Sequence, residues 1–408
     1  MTERVTRRYY LHRAAMHTGF FWPVFPLFLR SRGVSFAGIG TLLAVEAAAK
    51  LVSEVPTGFV GDAVGRRNSL LLASGLVLVA ELGFVIAHHI TGFVLVYLCF
   101  GLARTFQSGS GDAWLYDALE NGDRASEFTR VRGRGESVTH WASALAMLAS
   151  GVLYAADPVA PFLAAAALTL VDAGVLLTLP RADAAGETRV GVREVLPLVR
   201  RTLSQSPVRS FVAAAAAFFG VERAVSEFVP SVTASVLDGA LPFVLPSSGG
   251  SVDVVFVGVF FAAFTVTSAA ASYVAGDVRA RYGAPAALVG VGYLSAVLLA
   301  ASLLLPTVAL LGFLTVKTAD ALVVPLVNGY VNDHVDTAGR ATTLSATSML
   351  FTLAKMPLLV AAGALADATR ALDAVSGLGV FLAVATAVVL RWEVPTETGE
   401  AGETASQG

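Results

Sequence analysis

EVPTGFVGDAVGRRNSL, residues 54–70, gathers Glu54, Asp62, Arg66 and Arg67 between two long apolar stretches. Only 14% of the 408 residues are charged and 55% are hydrophobic, so the concentration stands out. A soluble domain carries about 25% charged residues. Here mean hydropathy is +0.70, and the apolar residues fall in blocks long enough to cross a hydrocarbon core of about 30 Å as helices. Period-two alternation of the kind a transmembrane barrel needs is absent. The chain reads as an all-α integral membrane protein, and residues 54–70 as the polar turn joining two of its spans. Gly58, Gly61 and Gly65 permit close backbone approach and a tight turn.

Working outward from that turn, twelve candidate segments emerge. They are 8–30, 36–60, 68–88, 92–117, 136–156, 159–180, 208–236, 252–276, 284–305, 307–330, 341–366 and 372–391. The charged connection 181–207 divides them into two sets of six. This predicts an N-terminal bundle over 1–180, a cytoplasmic linker over 181–207 and a C-terminal bundle over 208–391. Within the linker, VREVLPLVRRTL opposes Val and Leu to Arg, as a helix lying on a membrane surface does. The acidic tail, 392–408, reads as disordered.

Arginine sets the orientation. With the N-terminus inside, twenty arginines fall in inner connections and three, Arg30, Arg32 and Arg370, in outer ones. Cytoplasmic loops carry such an excess, so both termini are placed in the cytoplasm and the protein in the cell membrane. The formal net charge of −2 gives no reason to expect a nucleic-acid partner. The single cysteine, Cys99, excludes an internal disulfide. No His/Cys/carboxylate spacing suggests a metal, no phosphate-cradling Gly-Lys-Ser/Thr loop suggests a nucleotide, and no cofactor is implied. The basic N-terminus lacks a small-residue cleavage site, so no removable signal peptide is read.

The opening motif has an echo. Gly58-x-x-x-Asp62-x-x-Gly65-Arg66-Arg67 returns 218 residues later as Gly276-x-x-x-Ala280-x-x-Gly283, and Gly133-Arg134-Gly135 returns as Gly339-Arg340-Ala341. Both pairs lie in equivalent inner connections, as a parallel duplication predicts. On these residues the chain resembles the major facilitator superfamily over almost its whole length. The family's signature in this loop, Gly-x-x-x-Asp-x-x-Gly-Arg-Arg/Lys, is met by Gly58, Asp62, Gly65, Arg66 and Arg67. The resemblance implies that this loop latches the two bundles on the cytoplasmic side, with a loop arginine paired to an acid ending the fourth span, here Asp117. Because Ala280 replaces the acid in the echo, the latch is expected to be asymmetric. Arg104-x-x-Gln107-Ser108-Gly109 approximates the Arg-x-x-Gln-Gly motif of proton-linked members, with a serine interposed. The fifth span, however, lacks the Gly-Pro-x-x-Gly-Gly element of many drug:proton antiporters. RATTLS (340–345) and EVPTG resemble export-like prokaryotic members.

Ionisable groups at membrane depth are costly and mark function. The cations so placed are Lys50, Arg104, Arg223, Lys317 and Lys355. The acids are Glu46, Glu54, Glu81, Asp112, Asp172, Glu222, Glu227 and Asp320. The excess of acids predicts that some lack a cationic partner and carry protons, with Glu222, Glu227 and Asp112 the leading carriers. Glu46, Lys50 and Glu54 recur at four-residue intervals, which predicts a charged stripe in which Lys50 is held by Glu46 or Glu54, or by an acid across the interface. Lys317 and Asp320 stand three apart. By the resemblance, Arg104, Gln107, Glu222, Arg223, Glu227, Lys317 and Asp320 face the central cavity, and the stripe and Lys355 lie where the bundles meet. Glu81 and Asp172 are expected in a structural network. In the first segment, Pro23 and Pro26 predict a kink, and His17 reads as a structural histidine. Together these predict a monomeric secondary transporter of a small molecule, exporting it against inward proton flow. Proton symport or facilitated uptake is the alternative within the fold. A non-transporting sensor or scaffold is the alternative of another class, and no nucleophile–base pair suggests an enzyme.

Overall fold

The computed structural model describes residues 2–16, 19–121, 124–180, 206–240, 251–334 and 340–392, and these are helical almost throughout. The first run holds α1 (Thr2–Ala15), α2 (Phe25–Ser31), α3 (Phe36–Val64), α4 (Arg66–Ile86), α5 (Ile90–Glu120), α6 (Phe128–Ala156) and α7 (Ala160–Leu177). The second holds α8 (Ser206–Ser226), α9 (Val229–Ala240), α10 (Ser251–Tyr282), α11 (Ala284–Ala301), α12 (Val308–Asp333), α13 (Arg340–Ala368) and α14 (Ala371–Trp392). Ten of these helices are long and apolar enough to cross a membrane. His17, nearly all of the 181–207 connection and the tail after Trp392 lie outside the described residues.

Two of the expected segments, 8–30 and 208–236, are not continuous helices. The first is divided into α1 and α2, the second into α8 and α9. Proline explains the position of the second break. Its nitrogen carries no proton for the carbonyl four residues back, and its ring crowds that carbonyl. Pro230 is the second residue of α9, and α8 ends at Ser226, four residues before it. Pro26 likewise stands second in α2, with Pro23 just ahead. Pro56, Pro325 and Pro357 nevertheless lie inside unbroken helices, so proline permits a break without enforcing one. Another difference is at α6, which begins at Phe128 rather than at 136.

The helices form two compact units: Met1–Arg189 with Pro230–Thr265, and Val190–Val229 with Val266–Gly408. In the first, α5 packs against α3 and α4, α7 packs against α4, and α1 crosses α6 and α7. One end of that unit is closed by Tyr9, Leu70, Trp114, Leu119 and Val131. The Trp114 indole there donates to the Pro180 carbonyl at 3.1 Å, satisfying its polar edge as a buried tryptophan requires. Elsewhere in the unit Phe28, Phe84 and Phe162 stack, with centroids 4.6 Å (Phe28–Phe162) and 4.8 Å (Phe84–Phe162) apart. In the second unit α8 packs on α13 and α14, and α11 on α12 and α14.

Candidate functional site

Gly65 joins α3 to α4 with φ 84° and ψ 154°. Gly283 joins α10 to α11 with φ 78° and ψ 155°. That region of backbone space is open essentially to glycine alone. The echo seen in sequence is therefore a repeated joint, drawn twice with nearly the same dihedrals. Beside the first joint, Arg66 forms an ion pair with Asp117 in the last turn of α5, Nε to Oδ2 at 3.2 Å. Arg67 donates to the Leu179 carbonyl at 3.2 Å and Arg8 to the Thr178 carbonyl at 2.6 Å. Two cations thus serve the carbonyl end of α7, where the helix dipole favours them. Beside the second joint, Arg279 in the last turn of α10 pairs with Asp333, the last residue of α12. Ala280 does stand where Asp62 stands in the first repeat, but an arginine–acid pair persists in both. Gly58 and Asp62 belong to the last turns of α3, and their side chains lie outside the described residues.

Within the first unit, Arg104 of α5 reaches Glu46 of α3, Nε to Oε1 at 2.7 Å. Gly101 makes this possible. A Cβ there would stand 2.6 Å from the Ala49 Cβ and 2.7 Å from the Glu46 carbonyl, so the two helices touch backbone to backbone. The expected holding of Lys50 by Glu46 is corrected by this pair. An i,i+4 pair returns only about 0.2–0.5 kcal/mol, whereas Glu46, 13% exposed, is engaged by a guanidinium from the neighbouring helix. Among the described residues neither Lys50 nor Glu54 has an ion-pair partner. Arg104 and Gln107, one turn apart, line a cavity of about 180 Å³ with Met16, Ser74, Thr169 and Asp172. On its wall Asp172 is held by His12 Nδ1 at 2.5 Å and by the Ser74 hydroxyl at 2.6 Å. Asp112 is elsewhere. Its side chain is 54% exposed and bonded to Arg132 of α6 at 2.9 Å, because α6 starts a full two turns earlier than its sequence boundary and brings that arginine alongside.

The second unit holds the denser cluster. Lys317 of α12 donates to Glu222 Oε1 of α8 at 2.6 Å and to the Ser226 hydroxyl at 3.1 Å. Ser226 in turn donates to the Glu222 carbonyl at 2.7 Å. One turn on, Arg223 pairs with Glu227, at the break between α8 and α9. Lys355 of α13 lies 5.8 Å from the centre of the Phe219 ring, a cation–π distance, and Asp320 and Lys355 both stand within electrostatic reach of the Glu222–Lys317 pair. Lys317 therefore reaches across to α8, not along its own helix to Asp320. Three acids and three cations balance here, on three helices and the break after α8, at positions up to 133 apart in the chain, from Glu222 to Lys355. Such a cluster can hand a charge from one partner to another without leaving any buried ion alone. The pairs Arg104–Glu46 and Lys317–Glu222 were missed in the sequence, which carries no spacing signal for them. Among the described residues no group of three His, Cys, Asp or Glu is placed to hold a metal.

Comparison with known proteins places this geometry. A family model described as the Major Facilitator Superfamily matches residues 14–357. No curated protein matches the chain by sequence. Among solved structures, the nucleoside transporter NupG is similar with a TM-score of 0.79 at 14% identity, over 96% of this chain and 99% of that one. A D-xylose-proton symporter gives 0.68 at 12% identity, over 96% and 98%. A bacterial homologue of the human lysosomal transporter Spinster, inward-facing and occupied, gives 0.66 at 14% identity, over 96% and 95%. At these identities the likeness is one of fold.

Proposed function

The chain belongs to the major facilitator superfamily, a family of transporters and not of enzymes, and we propose that it carries a small molecule across the cell membrane by alternating access coupled to protons. The observation that carries this reading is the balanced charged cluster of Glu222, Lys317, Asp320, Lys355, Arg223 and Glu227, gathered from α8, the α8–α9 break and the candidate spans α12 and α13. Buried ion pairs are poor stabilisers, so keeping six charged groups together in so apolar a chain argues for work rather than support. Acids that can lose a cation to cargo can take a proton in its place. Arg104 and Gln107 supply a second polar surface, on a cavity within the first unit, with Glu46 paired to Arg104.

Twelve spans complete the proposal. The ten continuous helices count once each, and the divided pairs α1/α2 and α8/α9 add one apiece. The division into 1–180, a 181–207 linker and 208–391, with both termini cytoplasmic and the protein a monomer, belongs to the same reading. So does the role of Gly58, Asp62, Gly65, Arg66, Arg67 and Asp117 as a cytoplasmic latch, which the Arg66–Asp117 pair supports. Export is the direction taken from the sequence. Uptake by proton symport is the second reading, favoured by the likeness to a D-xylose-proton symporter.

The test is a cargo screen in inverted membrane vesicles carrying a pH-sensitive dye. Cargo added outside should discharge an imposed interior-acid gradient if it is exchanged for protons, and deepen it if it travels with them. Cargo flux indifferent to the gradient would replace proton coupling by facilitation. A chain purified and reconstituted without flux of any candidate, yet binding one, would favour the sensor.

A further inference from the structure

Proton coupling needs an acid free to change charge, and the three acids singled out for it in sequence are all paired. Asp112 is bonded to Arg132, Glu222 to Lys317 and Glu227 to Arg223. In the first unit one acid is placed differently. Glu81 of α4 is 0% exposed, and neither of its carboxylate oxygens has a hydrogen-bond partner among the described residues. From α7, the Thr169 hydroxyl is the hydrogen-bonding group nearest to it, and Asp172 stands within electrostatic reach.

The charged group beside Glu81, Asp172, and the cation on the adjoining cavity, Arg104, are already committed. Asp172 from α7 is held by His12 from α1 and by Ser74. Arg104, from α5, is held by Glu46 from α3. An ionised carboxylate that is fully desolvated and unpaired is far costlier than any hydrogen bond returns, and such a group takes up a proton instead. Access is provided on one side. Ser74 and Val77, on the same face of α4 as Glu81, line the 180 Å³ cavity together with Thr169, Asp172, Arg104 and Gln107. On the other side Phe84, one turn on, is sealed against Phe162 and Phe28.

We propose that Glu81 is a proton-binding site inside the first unit, opening through Thr169 onto the cavity that Asp172, Arg104 and Gln107 line. With Arg104 on Glu46, Glu81 holds a proton as a neutral carboxylic acid. When Arg104 leaves Glu46, its guanidinium is the cation on that cavity able to balance an ionised Glu81, and the proton departs through the cavity. Binding of the proton stands on the geometry of this unit alone, while its use in coupling rests on the proton-coupled reading above.

Infrared difference spectroscopy tests the binding directly, on the full chain in lipid nanodiscs, with pH stepped across neutrality and no cargo present. Wild type should show a protonated-carboxyl C=O band that vanishes as pH rises. Glu81→Gln, which mimics the neutral acid in shape, should lose that band, and Asp172→Asn should keep it. Thr169→Val, which leaves Glu81 in place, should shift the band, so the assignment stands even if Glu81→Gln folds poorly. A band that survives in Glu81→Gln or ignores Thr169→Val overturns the proposal. A band unchanged at every pH makes Glu81 a fixed structural acid and overturns it too. Replacing sodium by choline should change nothing; a band that titrates only with sodium makes the site a cation site instead. Because the reading is spectroscopic, a failure of proton-driven transport would sink the coupling while leaving the binding site intact.

Discussion

Lys317→Ala removes the cation from an enclosed ion pair of the second unit that joins two helices, and its cost can be worked from the geometry. The Nζ lies 2.6 Å from Glu222 Oε1, and the two side chains are 22% and 9% exposed. At an effective dielectric of about 20 the gross attraction at that distance is roughly 6 kcal/mol. Lys355 and Arg223 remain near enough to offset part of the loss, so the net cost should fall near about 3 kcal/mol, the lower end for breaking a buried pair. The Ser226 hydroxyl loses a donor as well. Most of this penalty is an abandoned carboxylate rather than a missing bond. Joining Lys317→Met to Glu222→Gln should therefore restore stability to within about 1 kcal/mol of wild type. The assay is a double-mutant cycle on unfolding equilibria in mixed micelles, built from Lys317→Met, Glu222→Gln and their combination, with Lys317→Ala measured alongside under the same condition. If the two single costs simply add, or if Lys317→Ala costs less than about 1 kcal/mol, Glu222 is not the partner that holds Lys317 and the central observation of the functional reading fails.

Alanine at the two joints should be equally damaging. Gly65→Ala and Gly283→Ala each force φ near +80°, at a cost of about 1–3 kcal/mol, whereas Gly276→Ala, where a Cβ meets nothing within 4 Å, should gain up to about 1 kcal/mol. Thermal melting of the three variants in detergent checks this, and free tolerance of alanine at either joint would contradict their equivalence. Asp62→Asn, a change at what the sequence reads as a polar connection, should impair transport with little loss of folded protein; a reconstituted variant running at the wild-type rate would remove Asp62 from the latch.

What could be read from the chain follows the range of the interaction concerned. Membrane residence was legible because twenty-residue hydropathy is a local sum. The joint at Gly65 was legible because a tight turn demands glycine at one position, and its twin at Gly283 because duplication preserved the spacing. Partner choice was not. Glu46 has Lys50 four residues away in sequence, yet the guanidinium that meets it sits on another helix, brought there by Gly101. Lys317 has Asp320 three residues away, yet bonds to Glu222. At both positions a packed neighbouring helix supplies the partner, although Arg223 and Glu227 show that a residue one turn along can do so too. The divided helices were half legible. Prolines marked both, but Pro56, Pro325 and Pro357 show that the same residue can ride inside a continuous helix.

Those two divisions have a mechanical consequence. An unbroken helix of thirty residues behaves as a rod, and displacement at one end is delivered to the other. In the twelve-span reading proposed above, α1/α2, broken near Pro23 and Pro26, and α8/α9, broken at Glu227 and Phe228, each supply one span in two pieces. A span of that kind is a jointed lever rather than a rod: one half can turn without delivering its displacement to the far membrane face, and a carrier built on that plan can pause with both gates shut.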